Sequence, residues 1–170
     1  MLIGLVVLVL IWSGYLSWLD FRTRRLPNWL TLGGAVVALV LRFGYGGMSS
    51  LVDGFAAACV AALLLLVPFL LKGAGGGDVK MLFAAGAIAG WSHLFLLLWA
   101  TSVAGVVMGV TMLLLGQLEG ARLKHAVRSL FDWRYDREAG AASIPPKDST
   151  KARIPFSIPI AAGLITALLW

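Results

Sequence analysis

Apolar positions in this chain fall in long blocks separated by short polar stretches. Crossing the hydrocarbon of a bilayer takes about 20 apolar residues, and shorter runs are tolerated at some cost. Residues 2–19, 29–47 and 51–71 read as three such spans. Arg42 lies near the far end of the second, where its stem can snorkel toward the headgroups. Asp53 stands at the start of the third, and Pro68 near its exit. Met81 to Leu115 is a run of 35 residues. As one helix it would be about 52 Å long, too long for a core of about 30 Å. A break within "AGWSH", residues 89–93, divides the region into spans of about 79–91 and 93–115. Residues 154–170 close the chain as a sixth span, with a loop over 116–153 before it. The predicted fold class is all-α: a polytopic membrane helical bundle of six transmembrane helices, forming a single integral-membrane domain over residues 1–170.

Charge sets the orientation. Composition agrees with a membrane protein, at 60% hydrophobic and 13% charged. With six spans, one face receives Arg22, Arg24, Arg25, Lys72, Lys80 and the eight Lys/Arg of the 116–153 loop, leaving Arg42 as the exception among 14 basic residues. Treating 81–115 as one span would send the basic loop to the other side. The excess of Lys and Arg in cytoplasmic loops therefore predicts both termini outside and the basic loops in the cytoplasm. The net charge of +6 is explained this way, and nucleic acid is not an expected partner. The uncharged first 19 residues have no basic residue before them and no small-residue cleavage site after, so a retained helix is expected, not a removed signal peptide.

Within the loop, Leu123, Val127, Leu130 and Phe131 recur at helical spacing among Arg122, Lys124, Arg128 and Arg134. That pattern suits an interfacial helix on anionic lipid and equally a solvated loop. Cys59 is the only cysteine, which precludes an intrachain disulfide and a cysteine-based zinc site. His93 and His125 fall on opposite faces and form no site together. No metal and no cofactor are expected.

Topology sorts the eight carboxylates. Asp53 belongs to the outer face, and Glu119, Asp132, Asp136, Glu138 and Asp148 to the polar loop. Asp20 and Asp78 remain, the first ending one span and the second opening another. They are 58 residues apart with two spans between, so both return to the same membrane face. Two carboxylates sharing a site do not both ionise readily, and such a pair holds one proton between them. The ionised member can take a proton from water as it attacks a peptide carbonyl. The protonated member can hydrogen-bond that carbonyl oxygen. Gly75, Gly76 and Gly77 discourage helix before Asp78, and would let a substrate backbone lie close to it in extended form. A loop whose aspartate caps the next helix accounts for the same residues. Likewise, "DFRTRRLPN" holds Asp20 among Arg22, Arg24 and Arg25, where a surface ion pair is the simpler reading. Pro27 and Asn28 mark a turn into the next helix.

Taken together, "DFRTRRLPN" (residues 20–28) and "GGGDVK" (Gly75 to Lys80) resemble the two motifs of the type IV prepilin peptidases, membrane aspartic proteases with a G-x-G-D signature. "RIPFSIPIAAG", residues 153–163, is similar to the opening of that family's last span. The resemblance implies Asp20 and Asp78 as the catalytic pair, with Gly75, Gly76, Gly77, Lys80, Arg22, Pro27 and Asn28 as supporting motif positions. It implies removal of a short basic leader from a prepilin or pilin-like precursor at the cytoplasmic face of the inner (plasma) membrane. Longer members carry a four-cysteine insertion and methylate the new N-terminus. This chain is similar to the short, peptidase-only branch of Flp/Tad-type pilus systems. Archaeal preflagellin peptidases share the short architecture, and presenilin-like proteases share G-x-G-D. A cation-binding transporter or assembly subunit is the non-enzymatic alternative, since carboxylates inside membranes often serve ions.

Overall fold

The computed structural model describes residues 2–23, 26–70, 74–115 and 156–170. Arg24, Arg25, Lys72, Gly73 and the 116–153 loop, with its 123–131 pattern and His125, lie outside the described residues. Those that are described form helices in the order α1 (Leu2–Thr23), α2 (Asn28–Leu70), α3 (Gly76–Leu114) and α4 (Ser157–Leu169), with no strand among them. Packing divides the chain into two units, Met1–Val107 together with Pro155–Trp170, and Met108–Ile154. α1, α2 and α3 are each long and apolar enough to cross a membrane, and α4 is a shorter apolar helix.

Neither of the two longest helices is continuous. α2 has 43 residues and α3 has 39, which as straight rods would measure about 65 and 58 Å. α2 breaks at Gly47 (φ 65°, ψ −159°) and α3 at Gly90 (φ 72°, ψ 179°). Both sit in a backbone region that is essentially closed to residues with a Cβ. The helical pieces on either side of Gly47 are about 28 and 34 Å long, close to the hydrocarbon thickness. The break expected within residues 89–93 falls at Gly90.

One ion pair holds both breaks. Arg42 Nη1 lies 3.1 Å from Asp53 Oδ2. Along a straight helix these residues would be separated by a rise of about 16 Å, so the chain bends back at Gly47. The same guanidinium donates from Nε to the Ala87 carbonyl at 2.8 Å and from Nη2 to the Ile88 carbonyl at 3.3 Å. The Trp91 N–H donates to Asp53 Oδ2 at 3.1 Å. These carbonyls end the helical turn before Gly90, and that amide begins the helix after it. Helix ends leave such groups without intrahelical partners, and a cation at a C-terminus with an anion at an N-terminus matches the peptide dipoles. Arg42 is therefore not extended toward headgroups as its position in the apolar block suggested. Broken helix ends offer it fixed acceptors and a counter-charge, which an isolated span does not.

A buried cluster draws on α1 (Leu16), the second half of α2 (Ala57, Ala61, Leu65), α3 (Met81, Leu82, Ala85, Leu97) and α4 (Ile160, Leu164). Alanine and glycine recur at the contacts, as they do where membrane helices approach closely. A Cβ on Gly86 would come within 2.8 Å of the Ala57 carbonyl oxygen and the Ala58 Cα. Trp12 lies across Gly34, and its Nε1 donates to the Leu30 carbonyl at 3.0 Å, fastening α1 to the start of α2. Trp18, Phe21, Trp29, Phe95 and Trp99 face outward. That is more exposed aromatic surface than a water-soluble domain of this size carries, and it suits lipid.

Candidate functional site

Asp20 occupies the last turn of α1 and is 6% exposed. A carboxylate that deep needs hydrogen-bond partners. Ser157, the first residue of α4, donates from Oγ to Asp20 Oδ2 at 2.6 Å. The return contact runs from Ser17 Oγ to the Ser157 carbonyl at 3.3 Å, so α1 and α4 are stitched in both directions. Phe156 caps α4 without a side-chain hydrogen bond. A carboxylate beside that N-terminus is electrostatically favoured.

Asp78 is 7% exposed and stands third in α3, after Gly76 and Gly77. The Gly75 N–H donates to Asp78 Oδ2 at 3.1 Å, while the Gly75 carbonyl accepts from the Asp78 and Val79 amides. This is half of a capping box, with the third helical residue reaching back to the cap position. The sequence suggested that the glycines would keep this stretch out of helix, and alternatively that Asp78 would itself be the cap. Both differ from the structure: Gly75 is the cap and Gly76 and Gly77 are helical. Their want of side chains is used in packing. A Cβ on Gly77 would lie 2.9 Å from Leu26 Cβ, and one on Gly76 would lie 3.2 Å from the Phe69 ring.

The two motif stretches meet. Lys80 Nζ donates to Asn28 Oδ1 at 2.7 Å, and Leu26 abuts Gly77. Pro27 immediately precedes α2, its carbonyl accepting from the Leu30 and Thr31 amides at 3.1 and 3.2 Å. Arg22 behaves otherwise: it is exposed, with its guanidinium 5.3 Å from the centroid of the Trp18 ring. Each aspartate stands one helical turn from the shared buried cluster, Asp20 from Leu16 and Asp78 from Leu82. Sequence reasoning missed Ser157 and Leu26. Ser157 belonged to a recognised stretch, but 137 residues separate it from Asp20, and no local pattern announces the bond.

A family model for the Type IV leader peptidase family matches residues 7–110, more than half of the chain and inclusive of both aspartates and both motif stretches. The chain is similar to the "Prepilin leader peptidase/N-methyltransferase" of Pseudomonas putida, 35% identical over 118 residues, which cover 65% of this chain and 41% of the relative. It is similar to the protein of the same description in Escherichia coli (strain K12), 38% identical over 98 residues, covering 54% of this chain and 43% of the relative. The corresponding protein of Aeromonas hydrophila is 35% identical over 111 residues, with 59% and 37% covered. The chain thus spans about two fifths of the length of these curated relatives. No solved structure matches it. With the family match enclosing the two buried aspartates and the stretches that bring Asn28 to Lys80, the chain belongs to the type IV leader peptidase family.

Proposed function

We propose that this protein is a membrane aspartic endopeptidase that removes the short basic leader from prepilin-like precursors, with Flp-type precursors as its substrates. The observation that carries the reading is a pair of buried carboxylates, Asp20 and Asp78, each at a helix end and each in one of two motif stretches that touch through Asn28 and Lys80. The names of the relatives supply the substrate class, and of their two named activities we assign this chain the peptidase alone.

In this reading the chain crosses the membrane six times, with Gly47 and Gly90 as turns on the outer side and both termini outside. Lengths support it: the pieces of α2 are each about one hydrocarbon thickness long. Asp20 and Asp78 then open to the cytoplasmic face, where a basic leader would be presented. One aspartate takes a proton from the attacking water while the other, protonated, donates to the scissile carbonyl oxygen. Gly75 to Gly77 and Lys80 flank the substrate backbone.

The test is cleavage of co-expressed precursors by wild type, Asp20→Asn and Asp78→Asn at matched membrane levels, read by gel mobility and N-terminal sequencing. Wild type is expected to cut an Flp-type precursor just before its hydrophobic segment, and both variants to leave it whole. Normal cutting by either variant would overturn the two-aspartate reading. Failure of wild type on a panel of pilin-like precursors would overturn the substrate, with cation binding tested next.

A further inference from the structure

We propose that Ser157 is a positioning residue that holds Asp20 in its working orientation; the proposal rests on the reading of Asp20 and Asp78 as the catalytic pair. A carboxylate at the end of a helix is free to turn about its last bond, and its two oxygens are equivalent until something tells them apart. Ser157 does so. Its hydroxyl lies 2.6 Å from Oδ2, at the short end of the O–H···O range. No donor to Oδ1 is present among the described residues. Oδ2 is therefore the oxygen that Ser157 anchors, and on the two-aspartate reading this fixes how the carboxyl group faces the attacking water.

Ser157 is itself fixed. It is wholly buried, its carbonyl accepts from Ser17 Oγ, and it begins α4 just as the Phe156 carbonyl takes the Ile160 amide at 3.1 Å. Serine inside a helix usually turns its hydroxyl back to a carbonyl in the preceding turn. At the first helical position that turn is missing, so the hydroxyl is directed across to α1. Ser157 lies outside residues 7–110, the stretch that places the chain in its family.

The experiment uses the purified full chain in detergent and a purified Flp-type precursor that wild type cuts. Steady-state kinetics are compared for wild type, Ser157→Ala, Ser157→Thr and Ser157→Cys, with Asp20→Asn as reference and thermal unfolding as the control for folding. Losing a hydrogen bond to a charged group predicts that Ser157→Ala lowers kcat by about tenfold or more. Because the hydroxyl acts on the reacting carboxylate and not on the leader, KM is expected to stay within about twofold of wild type. Ser157→Thr, which restores the hydroxyl, is expected to recover most of kcat, and Ser157→Cys, a weaker donor of similar size, to fall between Thr and Ala. Wild-type kcat in Ser157→Ala, or equal impairment of Thr and Ala at equal folded content, would overturn the proposal. Should Ser157→Ala fail to accumulate, Thr against Cys decides it: Thr ahead supports it, and parity overturns it. The outcomes remain separable from the underlying reading. An active Asp20→Asn defeats the catalytic pair, whereas an inactive Asp20→Asn beside a fully active Ser157→Ala defeats Ser157 alone.

Discussion

Asp78, third in its helix, reaches back with one carboxylate oxygen to the cap position, accepting the Gly75 N–H at 3.1 Å. An asparagine at the same place still offers an oxygen acceptor; an alanine does not. Thermal unfolding of the purified protein should therefore rank Asp78→Asn above Asp78→Ala, with the alanine lower by about 0.5–1.5 kcal/mol, the usual net worth of one hydrogen bond. Both substitutions are expected to abolish cleavage, so activity and stability separate in one of them and fall together in the other. An asparagine variant that melted with the alanine variant would show that the Gly75 contact contributes nothing. Much of this candidate site was legible in the sequence. Asp20, Asp78, Asn28 and Lys80 all fell within two short motifs. Their physical reasons were not legible, because the partners lie far along the chain: Lys80 meets Asn28 across 52 residues, and Asp20 meets Ser157 across 137. Periodicity and composition report on neighbours in sequence, and these are neighbours only in space.

Elements were legible to the extent that length governs them. A largely apolar run of 35 residues had to break somewhere, and it breaks at Gly90. The glycine stretch was the harder case. Each helical glycine costs about 1 kcal/mol relative to alanine, which favoured a loop at Gly76 and Gly77. Close approach to Phe69 and Leu26 and the cap at Gly75 outweigh that cost, and packing of this kind is invisible to local propensity. The glycines at the two breaks differ in what surrounds them, and this yields a graded prediction. A Cβ on Gly47 would meet nothing within 4 Å, so Gly47→Ala bears only the backbone strain, about 1–3 kcal/mol. At Gly90 the same strain applies, and the new Cβ would also collide with the Arg42 guanidinium and stand 2.9 Å from Asp53 Oδ2. Gly44 is helical with open space around it, so Gly44→Ala should be neutral or stabilising by up to about 1 kcal/mol. Unfolding midpoints in detergent should therefore fall in the order Gly44→Ala, Gly47→Ala, Gly90→Ala. Equal midpoints for the last two would mean that the ion pair adds nothing to the break.

On the scale of the whole molecule, the six-span reading makes a claim about sides. Met48 is exposed one residue past the first break and Trp91 one residue past the second, whereas Ala74 lies between α2 and α3 at their opposite ends. In a Cys59→Ala background, Met48→Cys and Trp91→Cys are expected to react with a membrane-impermeant maleimide on intact spheroplasts. Ala74→Cys should react only after lysis. Labelling of all three from one side would remove both the turns and the shared face for the aspartates.

The Arg42–Asp53 pair then has a mechanical meaning. It fastens the pieces of α2 and α3 at Gly47 and Gly90, while the ends that carry the motifs are tied by the Lys80–Asn28 hydrogen bond, so the pair is the fulcrum of a lever whose far end that hydrogen bond steadies. Asp78 sits twelve residues from Gly90, an arm of about 18 Å. A tilt of about 5° about the fulcrum would carry its carboxylate sideways by about 1.5 Å, and a misplacement of about 1 Å is enough to cost a hundredfold in rate. If the six-span and two-aspartate readings hold, a small loosening at Gly47 and Gly90 is thus felt at Asp78, on the opposite side of the membrane.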